Sequence, residues 1–385
     1  MLVSTVLAMT LLGLLLAGYL AWLRGGQHAG GLEPPSAPAR WPMVEVLVAV
    51  HDEREWIEDK LQNLSELEYP AGLLKIRIID GASSDGTFEA ASSWCRNDSG
   101  FEVVRLDVAN KTAQLNSALA GSTARWLLVT DADARLRPDT LIGLVAAGEA
   151  DDDIAVVGAP VQSARGHALE QLHWRIVNRL RQQESRRGCA SIVTAPCYLF
   201  RRALLPKFAK DVVADDVHVA LAAAAAGQRV AVVTAPVTEL RSPVALADVF
   251  RHKVRKADAY LREVVRFWPR IGTMRADARS VFLWRAGQLV LAPFLTGATL
   301  VGLVAWVSRG GWPSITHLVA GAATLLALGL LSARFTPIVL LVPMLGMLLV
   351  AALLTALVRY PFSRQTACFP KIATRPLPDR IGSKT

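Results

Sequence analysis

Charge is scarce in this sequence. Of 385 residues, 19% are Asp, Glu, Lys or Arg and 52% are hydrophobic, whereas ordinary soluble domains carry about 25% charged residues. That shortage argues against a disordered chain and against a wholly soluble one. Cysteine is scarcer still. Cys95, Cys189, Cys197 and Cys368 lie far apart with no Cys-x-x-Cys pair, so neither a disulfide framework nor a zinc site is expected, and a reduced, cytosol-facing part is compatible with them. The net charge of +9 would suit a nucleic-acid partner, but such chains are polar. No nucleic acid is expected here; an anionic membrane surface is the better counterpart.

The length allows two modest domains, or one domain and a membrane part, and the distribution of the apolar residues favours the second. Residues 2–23 carry no charge until Arg24, enough for one span of about 20 residues. The stretch has no positive start and exceeds a usual signal-peptide core, so residues 1–24 are expected to be a retained anchor. Residues 25–42 (GGQHAGGLEPPSAPAR) have a linker's composition. Further on, the uncharged stretches 286–308, 310–333 and 335–358 are each long enough to cross a bilayer.

Between 43 and 245 short β-branched runs alternate with helical stretches. VEVLVAV precedes a helix around 56–67, and KIRIID precedes one from Thr87. FEVVRLD, RWLLVTD, DIAVVGAP and RVAVVTAP follow, the first and third with helices behind them. This pattern predicts a mostly parallel sheet covered on both faces, an α/β architecture of the nucleotide-binding kind. Residues 246–285 differ: over 251–285, ten Lys or Arg stand against Asp258, Glu263 and Asp277, interleaved with Val249, Phe250, Tyr260, Phe267 and Trp268. A basic amphipathic segment ahead of apolar spans is expected to lie at a membrane interface. Residues 359–385 form a basic tail.

In an open α/β sheet ligands bind beyond the carboxyl ends of the strands, so the acidic residues there matter most. KIRIID ends in Asp80 and opens a loop with Asp85; RWLLVTD ends in Asp131, then Ala132 and Asp133. An Asp-x-Asp at a strand end brings two hard oxygen ligands together, which suits Mg²⁺ or Mn²⁺ holding a diphosphate. Asp is also a common turn residue.

The ordered set is more specific than the pair. VAVHDERE, DGASSDGT, NKTAQLNSAL, TDAD and ADDVHVALAAAAAGQRVAV, in this order, resemble the inverting, nucleotide-sugar-dependent glycosyltransferases of family 2, which include cellulose and hyaluronan synthases. The blocks WRIVNRLRQQES, CYLFRRALL and FRHKVRK look most like bacterial exopolysaccharide-type members. The resemblance covers residues 43 to about 270 and implies a GT-A type, Rossmann-like mixed sheet flanked by membrane helices. It also implies roles. Glu53 and Asp80 match positions that contact the nucleotide base, and Lys111 matches the lysine beside the nucleotide. Asn116 belongs to the same helix-opening motif. Asp131 and Asp133 match the metal- and diphosphate-binding motif, and Asp216 matches the general base, with Asp215 before it. Asp215 and Asp216 are also good helix N-caps, and one can cap while the other acts.

Two departures narrow the expectation. His51 stands where Tyr is usual and is read as a variant rather than a catalyst. The processive members' Gln-x-x-Arg-Trp motif aligns with His252–Lys256, where Arg255 alone is retained and is expected at the donor diphosphate. Lys253 and Lys256 are expected at lipid phosphates or at substrate. Arg175, Arg179, Arg181, Arg186 and Arg187 form a second basic cluster, suited either to an anionic lipid-linked acceptor or to a solvated helix face. The reading is a metal-dependent transferase moving a sugar from a nucleotide-sugar donor to a membrane-bound or lipid-linked glycan acceptor, among partners of a polysaccharide or glycolipid pathway. The alternatives are a processive polysaccharide synthase and a non-catalytic scaffold that senses nucleotide sugar. Nucleotide sugars are cytosolic, so a multi-pass inner-membrane protein with a cytosolic catalytic domain is expected. Three C-terminal spans would put the basic tail outside, against the positive-inside rule, unless Pro337, Pro343 and Gly346 break the last stretch.

Overall fold

A computed structural model describes residues 2–25, 37–96, 98–164, 166–309 and 336–362. The chain enters through a helix, α1 (Leu2–Arg24). The main sheet has seven strands: β1 (Val44–Val50), β2 (Leu74–Gly81), β3 (Phe101–Leu106), β4 (Trp126–Thr130), β6 (Ile154–Gly158), β8 (Cys197–Arg201) and β9 (Arg229–Val232). Their order is β3-β2-β1-β4-β8-β6-β9. A small second sheet joins β5 (Ala134–Arg135), β10 (Val237–Glu239) and β7 (Val161–Ser163). The main sheet is parallel except for β8, which runs antiparallel to both β4 and β6. The expected mixed, mostly parallel sheet is therefore what forms.

Alternate residues of each central strand point to opposite faces. Val46, Val48, Ile76, Ile78 and Leu128 bury against α2 (Arg54–Ser65) and α5 (Thr140–Glu149). Leu47, Ile79, Leu127 and Val129 bury against α4 (Lys111–Gly121) and α7 (Asp215–Ala225). With both faces covered, these strands read as continuous apolar runs. α3 (Thr87–Cys95) follows β2.

Two elements escape the sequence pattern. β8, within the block CYLFRRALL, has Cys197–Phe200 buried, so its apolar run shows no alternation, and its antiparallel insertion depends on partners far away in the chain. α5 follows β4, where no helix is expected; Leu141, Leu144, Val145, Ala146 and Ala147 are all buried, and a helix covered on most sides loses its polar face.

α6 (Ala168–Arg186), α8 (Leu246–Phe267), a short 3-10 turn (Trp268–Thr273), α9 (Ala276–Ser308) and α10 (Thr336–Arg359) complete the chain. Among the described residues three helices are long and apolar enough to cross a membrane: Val3–Arg24, Ala276–Ser308 and Leu341–Arg359. α9 runs unbroken across the boundary expected at 286, because nothing from Ala276 to Ala292 interrupts a helix; at 33 residues it is about 50 Å long. α10 also runs through Pro343 and Gly346, so neither breaks it. The stretch 310–333, the tail beyond 362 and the linker from 26 to 36 lie outside the described residues.

Candidate active site

The ends of β1, β2 and β4 meet at one edge. Val50 is in register with Asp80, and β4 lies beside β1 on its other flank. β2 and β4 thus diverge from β1, a switch point of the kind where open α/β sheets bind ligands. The turns leaving β1 and β2 are knotted together. Asp52 (φ 51°) and Ala82 (φ 58°) adopt the left-handed region, sparsely populated by residues with a Cβ. Asp52 N–H donates to Ser83 Oγ at 2.8 Å and Ser84 N–H to Asp52 Oδ1 at 2.7 Å. His51 Nδ1 lies 2.7 Å from Gly81 O, so His51 serves this knot. Gln114 of α4 donates to Val50 O and Ile79 O, at 2.7 and 2.6 Å.

β4 delivers Asp131, and the chain passes through Asp133 into β5, which pairs with β10. Lys60 of α2 fastens this turn from below. Its Nζ donates to Thr130 Oγ1 at 2.8 Å and to Ala134 O at 2.6 Å, bracketing the Asp-x-Asp. Burial pushes the Lys60 ammonium down to about 8. Sequence reasoning passed over Lys60, although a lysine in the stripe Trp56, Ile57, Leu61 and Leu64 is a legible signal. Arg241, just after β10, was also missed. It pairs with Glu53 and stands 3.6 Å from Asp133 Oδ2. Burial pushes the Asp133 carboxyl up to about 7, with Asp131 adding to the effect and Arg241 opposing it.

Lys111, at the start of α4, bridges two carboxylates: Asp131 Oδ1 at 2.9 Å and Asp215 Oδ2 at 3.3 Å. Burial disfavours its charge, but Asp131 and Asp215 outweigh that and hold it above the usual lysine range. Asp215 is buried and accepts from Tyr198 Oη at 2.6 Å. Asp216 faces the cavity, where its Oδ2 accepts from Ala195 N–H at 3.1 Å. Burial and then Asp215 push Asp216 up to about 6, with Lys111 and Lys256 pulling the other way. The cap position of α7 is Ala214, so neither aspartate caps; both lie in the first turn, where the helix dipole favours negative charge.

Glu53, Lys111, Asp131, Asp133, Asp216 and Arg255 line one cavity of about 1090 Å³. Asp80 is outside that lining. It is fully buried, its Oδ2 accepting from Ser83 N–H at 3.1 Å and lying 3.6 Å from Arg105 Nε, while Oδ1 has no hydrogen-bond partner among the described residues. Asn116 exchanges hydrogen bonds with the Phe208 backbone, at 3.0 and 2.7 Å, which makes it a packing residue. Cys197 is buried within β8. Among the described residues no group of three or more His, Cys, Asp or Glu could hold a metal ion. Asp131 and Asp133 still fit one that takes its remaining ligands from a diphosphate, as Mg²⁺ commonly does.

The basic segment is packed on two sides. α8 packs against α7 and α10, and Lys253 is buried in an ion pair with Glu170 of α6 at 2.7 Å, so Lys253 meets neither lipid nor substrate phosphate in this structure. Burial, only partly offset by Glu170, pushes Lys253 down to about 8. Lys256 lies 4.8 Å from the Trp174 ring centroid. The second basic cluster divides by helix face. Arg181 is buried on the main cavity. Arg175, Arg179 and Arg186 line a separate cavity of about 820 Å³, and Arg187 sits 4.4 Å over the Trp22 ring of α1.

Residues 45–208 match the family described as Glycosyl transferase family 2. A beta-monoglucosyldiacylglycerol synthase of Trichormus variabilis is 33% identical over 107 residues, 27% of this chain and 23% of that protein. A poly-beta-1,6-N-acetyl-D-glucosamine synthase of Staphylococcus epidermidis is 22% identical over 242 residues, 60% of this chain and 58% of that one. The match thus spans less than two thirds of either relative. Among solved structures, a mannosyltransferase from Pyrobaculum calidifontis in complex with GDP-Man and Mn²⁺ shares the fold, with a TM-score of 0.73 at 23% identity, covering 94% of this chain and all of that one.

Proposed function

We propose that this chain, whose residues 45–208 are a glycosyltransferase family 2 domain, transfers a sugar with inversion from a nucleotide-sugar donor to a membrane-bound or lipid-linked acceptor. The observation that carries the reading is one cavity lined both by Lys111, Asp131, Asp133 and Asp216 and by residues of all three apolar helices, among them Leu16, Leu289 and Leu353. Donor chemistry and a route from the bilayer meet there.

Asp216 takes the proton of the acceptor hydroxyl as that oxygen bonds to the anomeric carbon. On the opposite side of the carbon the bond to the diphosphate oxygen breaks, and its electron pair leaves with the nucleoside diphosphate. Held by Asp131 and Asp133, Mg²⁺ or Mn²⁺ would neutralise charge on that diphosphate as a Lewis acid. Lys111 and Arg255 add fixed positive charge to the same end of the cavity. Glu53, oriented by Arg241, and Asp80, with its unpaired buried Oδ1, are assigned to the nucleotide base. The cytosol supplies nucleotide sugars, so the domain faces it, and Arg24 and Arg40 after the first span agree with the positive-inside rule.

The test is a donor screen on the purified chain in detergent, reading nucleoside diphosphate release with Mg²⁺, Mn²⁺ or chelator. Asp133→Asn and Asp216→Asn should each lower turnover by about 100-fold or more; full activity in both would sink the assignment.

A further inference from the structure

One buried cation on the cavity makes no ion pair among the described residues. Arg181 is 8% exposed, has no ion pair among the described residues, and its Nη1 is buried without a hydrogen-bond partner. Its neighbours are paired: Arg285 donates to Glu184 at 2.8 Å, and Lys253 meets Glu170 at 2.7 Å. Two turns back on the same helix face, the Trp174 ring lies 5.9 Å from the Arg181 guanidinium, and its Nε1 is likewise buried and unpaired. Both side chains line the cavity. A buried charge left unpaired is strongly destabilising, and a buried unsatisfied donor adds to the cost. Two such donors side by side describe a seat for an anion that arrives from elsewhere. Arg181 remains a cation there: burial and then Arg285 push it down to about 10, with Asp216 and Glu184 pulling the other way.

The donor diphosphate is assigned to Lys111, Asp131 and Asp133, and Arg181 is not part of that group. The same cavity has an apolar wall, with Leu289 and Ala292 of α9, Leu349 and Leu353 of α10 and Leu16 of α1. An anion seat opening onto a hydrocarbon-lined wall fits an amphipathic anion. A soluble sugar phosphate has no use for the wall, and a neutral lipid has no use for the arginine.

We propose that Arg181, with Trp174, seats the phosphate or diphosphate of a lipid acceptor whose chain lies between α1, α9 and α10. The assignment rests on the transferase reading of this cavity and names its acceptor class: a lipid with phosphate between its chain and the hydroxyl presented to Asp216. Arg181 is a positioning residue; it touches the acceptor but not the reacting atoms.

The experiment is native mass spectrometry of the full chain in detergent, mixed separately with a polyprenyl phosphate, phosphatidic acid, dioleoylglycerol and inorganic phosphate. Both phosphate lipids should be retained in preference to the diacylglycerol and to free phosphate, and whichever is retained more strongly identifies the chain type. Arg181→Gln should weaken that retention by about thirtyfold or more, whereas Arg179→Gln, exposed on the same helix, should leave it unchanged. Melting separates this from misfolding: removal of an unpaired buried charge should hold or raise Tm, and a large fall would make Arg181 structural and overturn the proposal. Equal retention of neutral and phosphate lipids, tight binding of inorganic phosphate alone, or an unaffected Arg181→Gln variant would also overturn it. Binding of UDP and GDP, measured on the same samples, reports on the transferase reading independently.

Discussion

As the proposed base, Asp216 has to be ionised to accept a proton, yet burial and Asp215 hold its carboxyl near 6. A group whose base form is required works above its pKa, so kcat/KM should rise with pH through an apparent value near 6 instead of near 4, where an exposed aspartate titrates. Lys256 is one of the two cations that lower this value. Lys256→Met should therefore move the acid limb to higher pH while leaving the plateau less affected, and a pH–rate profile of both proteins checks it. An unmoved limb would separate Lys256 from the base. The residue types were legible in the chain because strand-end carboxylates recur in a fixed order. Their charge states were not, because each depends on burial and on partners as distant as Arg241 is from Asp133.

Helices in this protein meet through small residues where apolar helices pack. A Cβ built on Gly302 of α9 would collide with Thr5 Oγ1 of α1, and one on Gly18 of α1 would fall 2.9 Å from the Trp284 ring of α9. Close approach at small residues is how helices associate where the hydrophobic effect no longer drives them together. Gly302→Leu should thus force α1 and α9 apart, costing about 1–3 kcal/mol. Gly297→Leu, on the same helix with nothing among the described residues within 4 Å of its built Cβ, should be tolerated. Melting in detergent distinguishes the two, and equal losses would remove the packing argument. The apolar runs announced spans in the sequence, but which helix faces which partner could not be read from uncharged stretches with little periodicity. The basic run at 251–285 was incomplete for a related reason. It announced an amphipathic helix but not its partners: α8 packs against α7 and α10 and buries Lys253 against Glu170.

Across the whole molecule, one carboxylate couples the catalytic domain to the membrane helices. Glu184 of α6 is fully buried and accepts from Tyr19 of α1 at 2.5 Å, from Arg285 of α9 at 2.8 Å, and from the Ser191 N–H and Oγ at 2.9 and 2.7 Å. Removing one partner of a buried charge pair costs about 3–5 kcal/mol, while replacing the pair with apolar groups is often neutral. Arg285→Met should accordingly lower Tm sharply, and the double variant Glu184→Leu with Arg285→Met should recover most of the loss. Additive losses in a double-mutant cycle would show that the pair does not join the two parts.

The sequence by itself determined a mostly parallel α/β sheet, the apolar helices and the carboxylates gathered at the strand ends, because strand period, apolar run length and residue order are local properties of the chain. Only the tertiary structure decided that β8 inserts antiparallel between β4 and β6, that Asp80 sits beneath the cavity while Asp216 faces it, and that Arg181 alone of its basic cluster lines the main cavity. Those outcomes turn on which distant segments pack together, since burial and pairing are set by neighbours in space, and five arginines that look alike along one stretch of chain part company once α6 has two faces.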